Sequence, residues 1–244
     1  MTIKIAVIDS GVNPGHSHVQ GVAGGISYHL EASGKVVEGA EFRDELGHGT
    51  AIAGVIREKN SQAKIYAVKI FHQILEAPAV LLMAAMQWAI RVRVNIIHLS
   101  LGTERPEYRK DLKQLCQDAV SKDIVIIASA RSLEDKVFPA IFDEVIAVYW
   151  NHDCKNGSLI YYPGRKVEFG AYGRPRALPG IPQELNFGGS SFAAAHVTAM
   201  AADILADNPM AGVVWVKEML RKKAKEEIDR NGKKQAKGQK AVFT

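Results

Sequence analysis

The sequence lacks several features that would place it in a specialised class of protein. It has two cysteines in 244 residues, at positions with no motif spacing, which excludes a disulfide scaffold. Its longest apolar run, residues 77–90, is interrupted by Gln87 and is too short to span a bilayer, so it predicts a buried helix. No leader pattern precedes the first predicted strand. We therefore expect a cytoplasmic globular protein with no membrane partner.

Net positive charge is missing from most of the chain and is concentrated at its end. Residues 217–244 hold ten Lys and Arg against four Asp and Glu, a balance of +6; the whole chain carries +5, so the preceding residues carry −1. Such a run is typical of a solvated helix face followed by a disordered end. It could bind nucleic acid or an anionic surface, but no recognised nucleic-acid module accompanies it, and we expect no nucleic-acid partner. We predict one domain over residues 1–220 and a basic tail over residues 221–244.

Short apolar runs alternate with helical patterns through the first 150 residues. Residues 79–90 and 108–120 have the periodicity of helices. The apolar runs are typical of strands buried on both faces of a sheet, and they lie at residues 3–8, 64–71, 94–101, 124–130 and 144–149. This alternation predicts an α/β fold with a doubly wound, mainly parallel sheet flanked by helices. Residues 12–44 predict loops with one short hairpin, and residues 151–185 predict short strands and loops.

Three short stretches carry candidate catalytic residues, although each of these residues also has an ordinary structural explanation. Asp9 ends the first strand, where the ligands of open α/β sheets gather, but Asp also opens turns. His48 lies between two glycines at the start of a small-residue helix, where a structural histidine is also common. Ser191 begins a helix after two glycines and a serine, as part of an N-cap or as an exposed nucleophile. Taken singly, none of the three residues defines a function.

Five motifs occur along the chain in one order. Residues 6–11 read AVIDSG, residues 47–54 read GHGTAIAG and residues 189–197 read GSSFAAAHV. Between them lie IYAVKIF at residues 65–71 and NIIHLSLG at residues 95–102. Together the five motifs resemble the signatures of the subtilisin-like serine peptidases, the subtilase family, in the family's chain order of Asp, His and Ser. The resemblance extends from residue 3 to about residue 205.

The resemblance implies a serine endopeptidase that hydrolyses peptide bonds through an acyl-enzyme, without a cofactor. The three motif residues meet in space in this family, so Ser191 would be the nucleophile, His48 its base, and Asp9 the residue that orients His48. An extended peptide or protein substrate would pair with the end of one strand and place a side chain in a neighbouring pocket. The residues implied for substrate binding are Ser100, Leu101, Gly102, Ala130 and the loop at residues 138–140.

The sequence departs from the family at one residue of the oxyanion hole, the set of hydrogen-bond donors that stabilise the negatively charged oxygen of the reaction intermediate. The resemblance implies that the Ser191 backbone N–H is one donor, but Arg131 stands where the family has an asparagine. We predict that Arg131, or a hydroxyl of Ser129 or Ser132, supplies the second donor. The segment at residues 57–64 is also too short for the family's calcium loop, and we expect no calcium dependence from that site.

The leading interpretation is intracellular processing of a restricted peptide or protein substrate, and two other functions stay open. The replacement by Arg131 is compatible with a catalytically impaired pseudo-peptidase that acts as a peptide-binding or scaffolding module. A metal-dependent hydrolase could be built on Asp9, His16, His18 and His48, but the chain offers no further ligand at a familiar spacing, and we expect no metal.

Overall fold

The computed structural model describes residues 2–208 and 211–224, and these residues form one mixed sheet with helices on both faces. The strands are β1 Lys4–Asp9, β2 Gly24–Leu30, β3 Val36–Gly39, β4 Lys64–Lys69, β5 Ile96–Leu99, β6 Val125–Ser129, β7 Val145–Trp150, β8 Leu159–Tyr161 and β9 Phe169–Ala171. Their spatial order is β3-β2-β4-β1-β5-β6-β7-β9-β8. The helices are α1 His48–Lys59, α2 Ala79–Arg91, α3 Arg109–Val120 and α4 Ser190–Asp207. Short 3₁₀ helices lie at Pro106–Tyr108 and Gln183–Leu185.

The central strands are parallel and buried on both faces, as their nearly continuous apolar sequences predict. In β1, Ile5 and Val7 belong to the apolar core on one face of the sheet, and Ala6 and Ile8 belong to the core on the other face. Helices α1 and α4 cover the first face, while α2 and α3 cover the second. This arrangement confirms the predicted α/β fold with a mainly parallel sheet.

The region predicted as loops with one short hairpin contributes more to the sheet than expected. Strands β2 and β3 form the antiparallel hairpin, and β2 also pairs in parallel with β4, so the hairpin extends the main sheet at one end. At the other end β8 and β9 form a second antiparallel pair. The sequence did not reveal these pairings because partners that are distant in the chain leave no local pattern.

A further helical segment, residues 213–224, packs against the first face of the sheet. Its side chains Val216, Leu220 and Ala224 are buried in the same core as α1 and α4. The predicted boundary at residue 220 falls inside this segment. The rest of the predicted basic tail lies outside the described residues.

The parallel strands bring the predicted site residues to one edge of the sheet. Asp9 is the last residue of β1, and Ile8 beside it is level with Leu99 of β5. The residues that follow β5 and β6 therefore emerge close to Asp9. β1 lies between β4 and β5, so the connection from β4 to β5 crosses it, and open α/β sheets bind ligands at such a carboxyl edge.

Candidate active site

Asp9 and His48 form a hydrogen-bonded pair at the carboxyl edge of the sheet. His48 Nδ1 lies 2.8 Å from Asp9 Oδ1 and 3.0 Å from Asp9 Oδ2. Asp9 is fully buried, and its Oδ1 also accepts hydrogen bonds from the backbone N–H and the hydroxyl of Ser10, at 2.7 Å and 3.1 Å. These donors take the place of water around a buried carboxylate, whose burial without partners would be costly.

The two partners shift each other's proton affinity. Burial raises the pKa of Asp9, but attraction to His48 and hydrogen bonds from His48, Ser100 and Ser10 outweigh it, so the pKa lies below its ordinary value. Burial likewise lowers the pKa of His48, but Asp9, with a smaller contribution from Asp44, outweighs burial and raises it. Asp9 is therefore an anion whose charge favours the protonated form of His48.

Asp44 holds the start of α1, and with it the position of His48. Its Oδ2 accepts hydrogen bonds from the backbone N–H and hydroxyl of Thr50, at 2.8 Å and 2.7 Å, and its Oδ1 accepts from the N–H groups of Leu46 and Gly47. The N-cap residue of α1 is Gly47, with a φ of 80° and no side chain to cap the helix. Asp44 supplies the missing acceptor from outside the helix. The sequence motif did not identify this residue.

A glycine in the histidine motif permits α1 to approach β1. A Cβ atom on Gly49 would lie 2.2 Å from the carbonyl oxygen of Gly11 and 3.1 Å from Asp9 Oδ1. The Gly49 backbone N–H donates to the Ser10 hydroxyl at 2.9 Å. The small residue after His48 is therefore needed for the short distance between His48 and Asp9.

Ser191 lies in the first turn of α4, next to a residue that contacts His48. The helix begins at Ser190 after the N-cap residue Gly189. The ring of Phe192 packs against the His48 imidazole, with 5.2 Å between ring centroids. Ser191 Oγ makes a long hydrogen bond, 3.5 Å, to the carbonyl oxygen of Ser100. Among the described residues, no hydrogen bond joins Ser191 to His48.

A cavity of about 790 Å³ adjoins Ser191. The residues implied for substrate binding, Ser100, Leu101, Gly102 and Ala130, all line this cavity. Val137 also lines it, whereas Phe138 and Ala140 of the implied pocket loop are buried in the core. Phe138 instead pairs with Thr103 through two backbone hydrogen bonds of 2.8 Å, which ties the loop to the end of the substrate-binding segment.

Arg131 lines the same cavity and is held there by two carboxylates. Its Nε and Nη2 donate to Asp135, its Nη2 also donates to Glu104, and its backbone N–H donates to Asp135 Oδ2. These bonds raise the pKa of Arg131 further. Nη1 makes no hydrogen bond to any residue that the structure describes. Ser129 lines the cavity as well, whereas the Ser132 hydroxyl accepts a hydrogen bond from the N–H of Glu134.

Comparison with known proteins establishes the family. The model of the subtilase family matches residues 1–241. The chain belongs to the subtilase family. This subtilase is 31% identical over 237 residues to the minor extracellular protease Epr of Bacillus subtilis strain 168, covering 90% of this chain and 34% of Epr. It is 29% identical over 224 residues to subtilisin E of the same strain, covering 85% of this chain and 56% of subtilisin E. The subtilase thus spans about a third to a little over half of these relatives.

Solved structures share the fold of this subtilase. A cold-adapted subtilisin-like serine proteinase superposes with a TM-score of 0.66 at 19% identity, covering 88% of this chain and 79% of the other. A lanthipeptide protease gives a TM-score of 0.66 at 20% identity, covering 90% of this chain and 79% of the other. At these identities the likeness supports the architecture alone.

The structure gives no support to a metal site at the histidine pair of residues 16 and 18. His16 and His18 of this subtilase lie edge to face, 5.1 Å between ring centroids, and the residues described hold no group of three or more His, Cys, Asp or Glu side chains that could hold a metal ion. The four residues of the metal-dependent alternative therefore do not form such a group.

Within the described ranges, no helix combines the length and apolar character needed to cross a membrane.

Proposed function

We propose that this subtilase is a serine endopeptidase with Ser191 as nucleophile, His48 as general base and Asp9 as the carboxylate that orients His48. The observation that carries the proposal is the buried pair of Asp9 and His48 at 2.8 Å, beside a cavity lined by Ser191. Family membership supports the same assignment, because the three residues lie in the family's three motifs.

The hydrogen bond to Asp9 defines which nitrogen of His48 is the base. A carboxylate can only accept hydrogen bonds, so His48 Nδ1, 2.8 Å from Asp9 Oδ1, carries the hydrogen. In neutral His48 the lone pair then lies on Nε2, the other side of the ring. Nε2 is the atom that removes the proton from Ser191.

The reaction has two halves, acylation of Ser191 and hydrolysis of the acyl-enzyme. Each half forms one bond to the substrate carbonyl carbon and breaks another. The Ser191 hydroxyl turns from the Ser100 carbonyl to His48 Nε2 and loses its proton there, while Oγ attacks the substrate carbonyl carbon. His48 then gives this proton to the leaving amine, the peptide bond breaks and the acyl-enzyme remains. Water loses a proton to His48 Nε2 and attacks the acyl carbonyl carbon, the bond from that carbon to Ser191 Oγ breaks, and His48 returns the proton to Ser191 Oγ as the acid leaves. Asp9 stays ionised and stabilises the imidazolium in both halves.

The oxyanion that forms in each half needs donors at the start of α4. The Ser191 backbone N–H is in the first helical turn, where amide groups have no partner within the helix. We assign the second donor to Arg131, whose Nη1 is not engaged by the described residues. Because Asp135 and Glu104 fix the guanidinium, the donor is held in place before the charge develops.

The substrate is a peptide or protein bound in an extended form. The backbone of Ser100–Gly102 follows β5 and lines the cavity, which suits the addition of a substrate strand. A restricted substrate and a cytoplasmic location remain our proposals. Fractionation of cells that produce the protein, followed by an antibody against it, tests the location.

Cleavage of a peptide library tests the proposed peptidase function and also determines which peptide sequences the protein cleaves. The wild-type protein should cleave a defined subset of peptides, and Ser191→Ala should cleave none. Ser121→Ala is the matched control, since Ser121 is an exposed serine at the end of α3, and it should leave cleavage unchanged. Tight peptide binding without cleavage in both wild type and Ser191→Ala would favour the pseudo-peptidase. Cleavage that survives Ser191→Ala but stops with a chelator would favour metal-dependent hydrolysis.

A further inference from the structure

The loop that leads into Ser191 is held by one arginine that follows β9. We call residues 183–189 the nucleophile loop; it starts with the 3₁₀ helix Gln183–Leu185 and ends at the N-cap residue of α4. Arg174 Nη1 donates to three of its backbone carbonyl oxygens, those of Gln183 at 3.1 Å, Asn186 at 3.3 Å and Glu184 at 3.5 Å. The last carbonyl groups of a helix lack helical partners, and Arg174 supplies hydrogens for them.

The Arg174 guanidinium is supported by an aromatic ring. Its Cζ lies over the indole of Trp150, 5.0 Å from the ring centroid, which is a cation–π distance. The ring of His152 also stacks on this indole, with 4.1 Å between centroids. Within the part of the chain that the structure describes, the side chain of Arg174 donates only to backbone carbonyls of the nucleophile loop. A planar group that stacks and donates at the same time is a property of arginine and not of lysine.

These contacts continue to the turn immediately before Ser191. A Cβ atom on Gly188 would lie 3.1 Å from Arg174 Nη1 and 3.2 Å from the indole of Trp150, so the Gly188 backbone packs directly on both side chains. The Trp150 backbone N–H donates to the hydroxyl of Ser190 at 3.0 Å. Arg174 and Trp150 therefore form one side of the turn that presents the Ser191 hydroxyl.

The backbone that carries Arg174 is itself fixed to α4 at two points. The carbonyl oxygen of Gly173 accepts a hydrogen bond from the N–H of Gly189, the N-cap residue of α4, at 2.9 Å. The carbonyl oxygen of Arg174 accepts from Nε2 of His196, a buried residue of α4, also at 2.9 Å. The arginine side chain therefore extends from a fixed position to the nucleophile loop.

We infer that Arg174 is a positioning residue: it holds the nucleophile loop, and with it the turn that presents Ser191 Oγ to His48. The same loop carries Phe187, whose ring lies edge to face with the His48 imidazole at 5.9 Å between centroids. A displacement of the loop would therefore reach both reacting side chains. The effect on catalysis rests on the proposed peptidase function, whereas the support of the loop by Arg174 does not.

Hydrogen exchange of the full chain tests the support of the loop without any substrate. The amides to follow are the hydrogen-bonded ones of the nucleophile loop, at Leu185, Asn186, Phe187 and Gly189. In Arg174→Ala they should exchange about tenfold faster than in the wild type, because the loop loses its side-chain donor, while the amides of β1 and β5 keep wild-type rates.

Arg176→Ala is the matched control for this exchange experiment. Arg176 is two residues further along, and its side chain contacts Glu58 and the carbonyl oxygen of His18 instead of the nucleophile loop. Its replacement should leave exchange in the loop unchanged. Wild-type exchange of the loop in Arg174→Ala, or the same increase in both variants, would overturn the inference.

Kinetics with chemical rescue test the positioning role. In Arg174→Ala we expect kcat to fall about 10- to 100-fold while KM changes less than about twofold, because a small displacement of Ser191 affects the reacting groups more than substrate affinity. Millimolar guanidinium ion should restore part of kcat in Arg174→Ala and have no such effect on Arg176→Ala. Wild-type kcat in Arg174→Ala, or a fall in kcat that guanidinium leaves unchanged, would contradict the role. If the wild-type protein cleaves no peptide, the proposed function fails, and the exchange experiment still decides whether Arg174 holds the loop.

Discussion

At the scale of single residues, the charge of Asp9 and the proton affinity of His48 depend on each other. The buried Asp9 stays ionised because His48 and Ser10 donate hydrogen bonds to it, and its negative charge raises the pKa of His48. The proposed base is active only when His48 is neutral. Activity should therefore fall as the pH drops through the pKa of His48, on the alkaline side of the ordinary histidine value.

Asp9→Asn tests this dependence. The amide carries no charge to raise the pKa of His48 and can hydrogen-bond the wrong tautomer, so we expect kcat to fall about ten-thousand-fold. The acid limb of the residual pH–rate profile should move to lower pH, because the raised pKa is lost. Asp207→Asn, an exposed change at the end of α4, is the control. An acid limb that stays in place would show that Asp9 does not control His48.

Arg131→Ala tests the second oxyanion donor. We expect kcat to fall about 100- to 1,000-fold with little change in KM, which is the effect of losing one such donor in this family. Arg131→Lys keeps the charge but loses the planar fork held by Asp135, and it should recover only part of the rate. Unchanged turnover in Arg131→Ala would exclude this role and would leave Ser129, which also lines the cavity, as the candidate.

The sequence predicted the residues of the proposed triad more readily than the residues that hold them in place. Asp9, His48 and Ser191 were predicted because they lie in motifs, and the resemblance, not spacing, implied that they meet. Asp44 was missed. It had a weak signal in the sequence, an acidic residue shortly before a predicted helix. That signal does not reveal which backbone groups the carboxylate binds.

At the scale of elements, the start of α1 controls the position of His48. The carboxylate of Asp44 accepts four hydrogen bonds around this helix start, while the N-cap residue Gly47 has no side chain to do so. The start of this helix is thus stabilised from outside it. Sequence periodicity can predict such a helix, but it cannot predict which outside residue fixes its first turn.

Asp44→Ala should destabilise the fold and disturb the site together. We expect a loss of about 2 kcal/mol in the free energy of unfolding, the upper range for a lost helix cap. Urea unfolding measures this loss, and Asp207→Ala at an exposed position is the control, with a change within about 0.5 kcal/mol. An Asp44→Ala protein as stable as wild type would mean that Asp44 does not hold α1.

At the scale of the whole molecule, the core continues beyond α4 into residues 213–224. Leu220 is fully buried there, and Glu168 pairs with Lys217 at 2.7 Å and with Arg221. The charge of the chain's end suggested a solvated segment, but the apolar residues Val216, Leu220 and Ala224 recur every four positions and pack on the sheet. The net charge concealed this apolar stripe, although the strand pattern predicted the central parallel strands of the α/β fold correctly.

Leu220→Ala tests whether this segment belongs to the core. Removing a fully buried leucine side chain should cost about 2–5 kcal/mol of unfolding free energy. Val214→Ala, at a side chain that is 77% exposed in the same segment, should change it by less than about 0.5 kcal/mol. Equal effects of the two substitutions in urea unfolding would show that the segment does not pack as described.

The central claim is that Ser191 is a nucleophile activated by His48. Labelling of the folded protein with a fluorophosphonate, followed by mass spectrometry of its peptides, measures this reactivity directly. We predict one adduct, on the peptide that contains Ser191, no adduct there in Ser191→Ala, and much slower labelling in His48→Ala. Absence of labelling in folded wild-type protein, or an adduct on another serine, would contradict the claim.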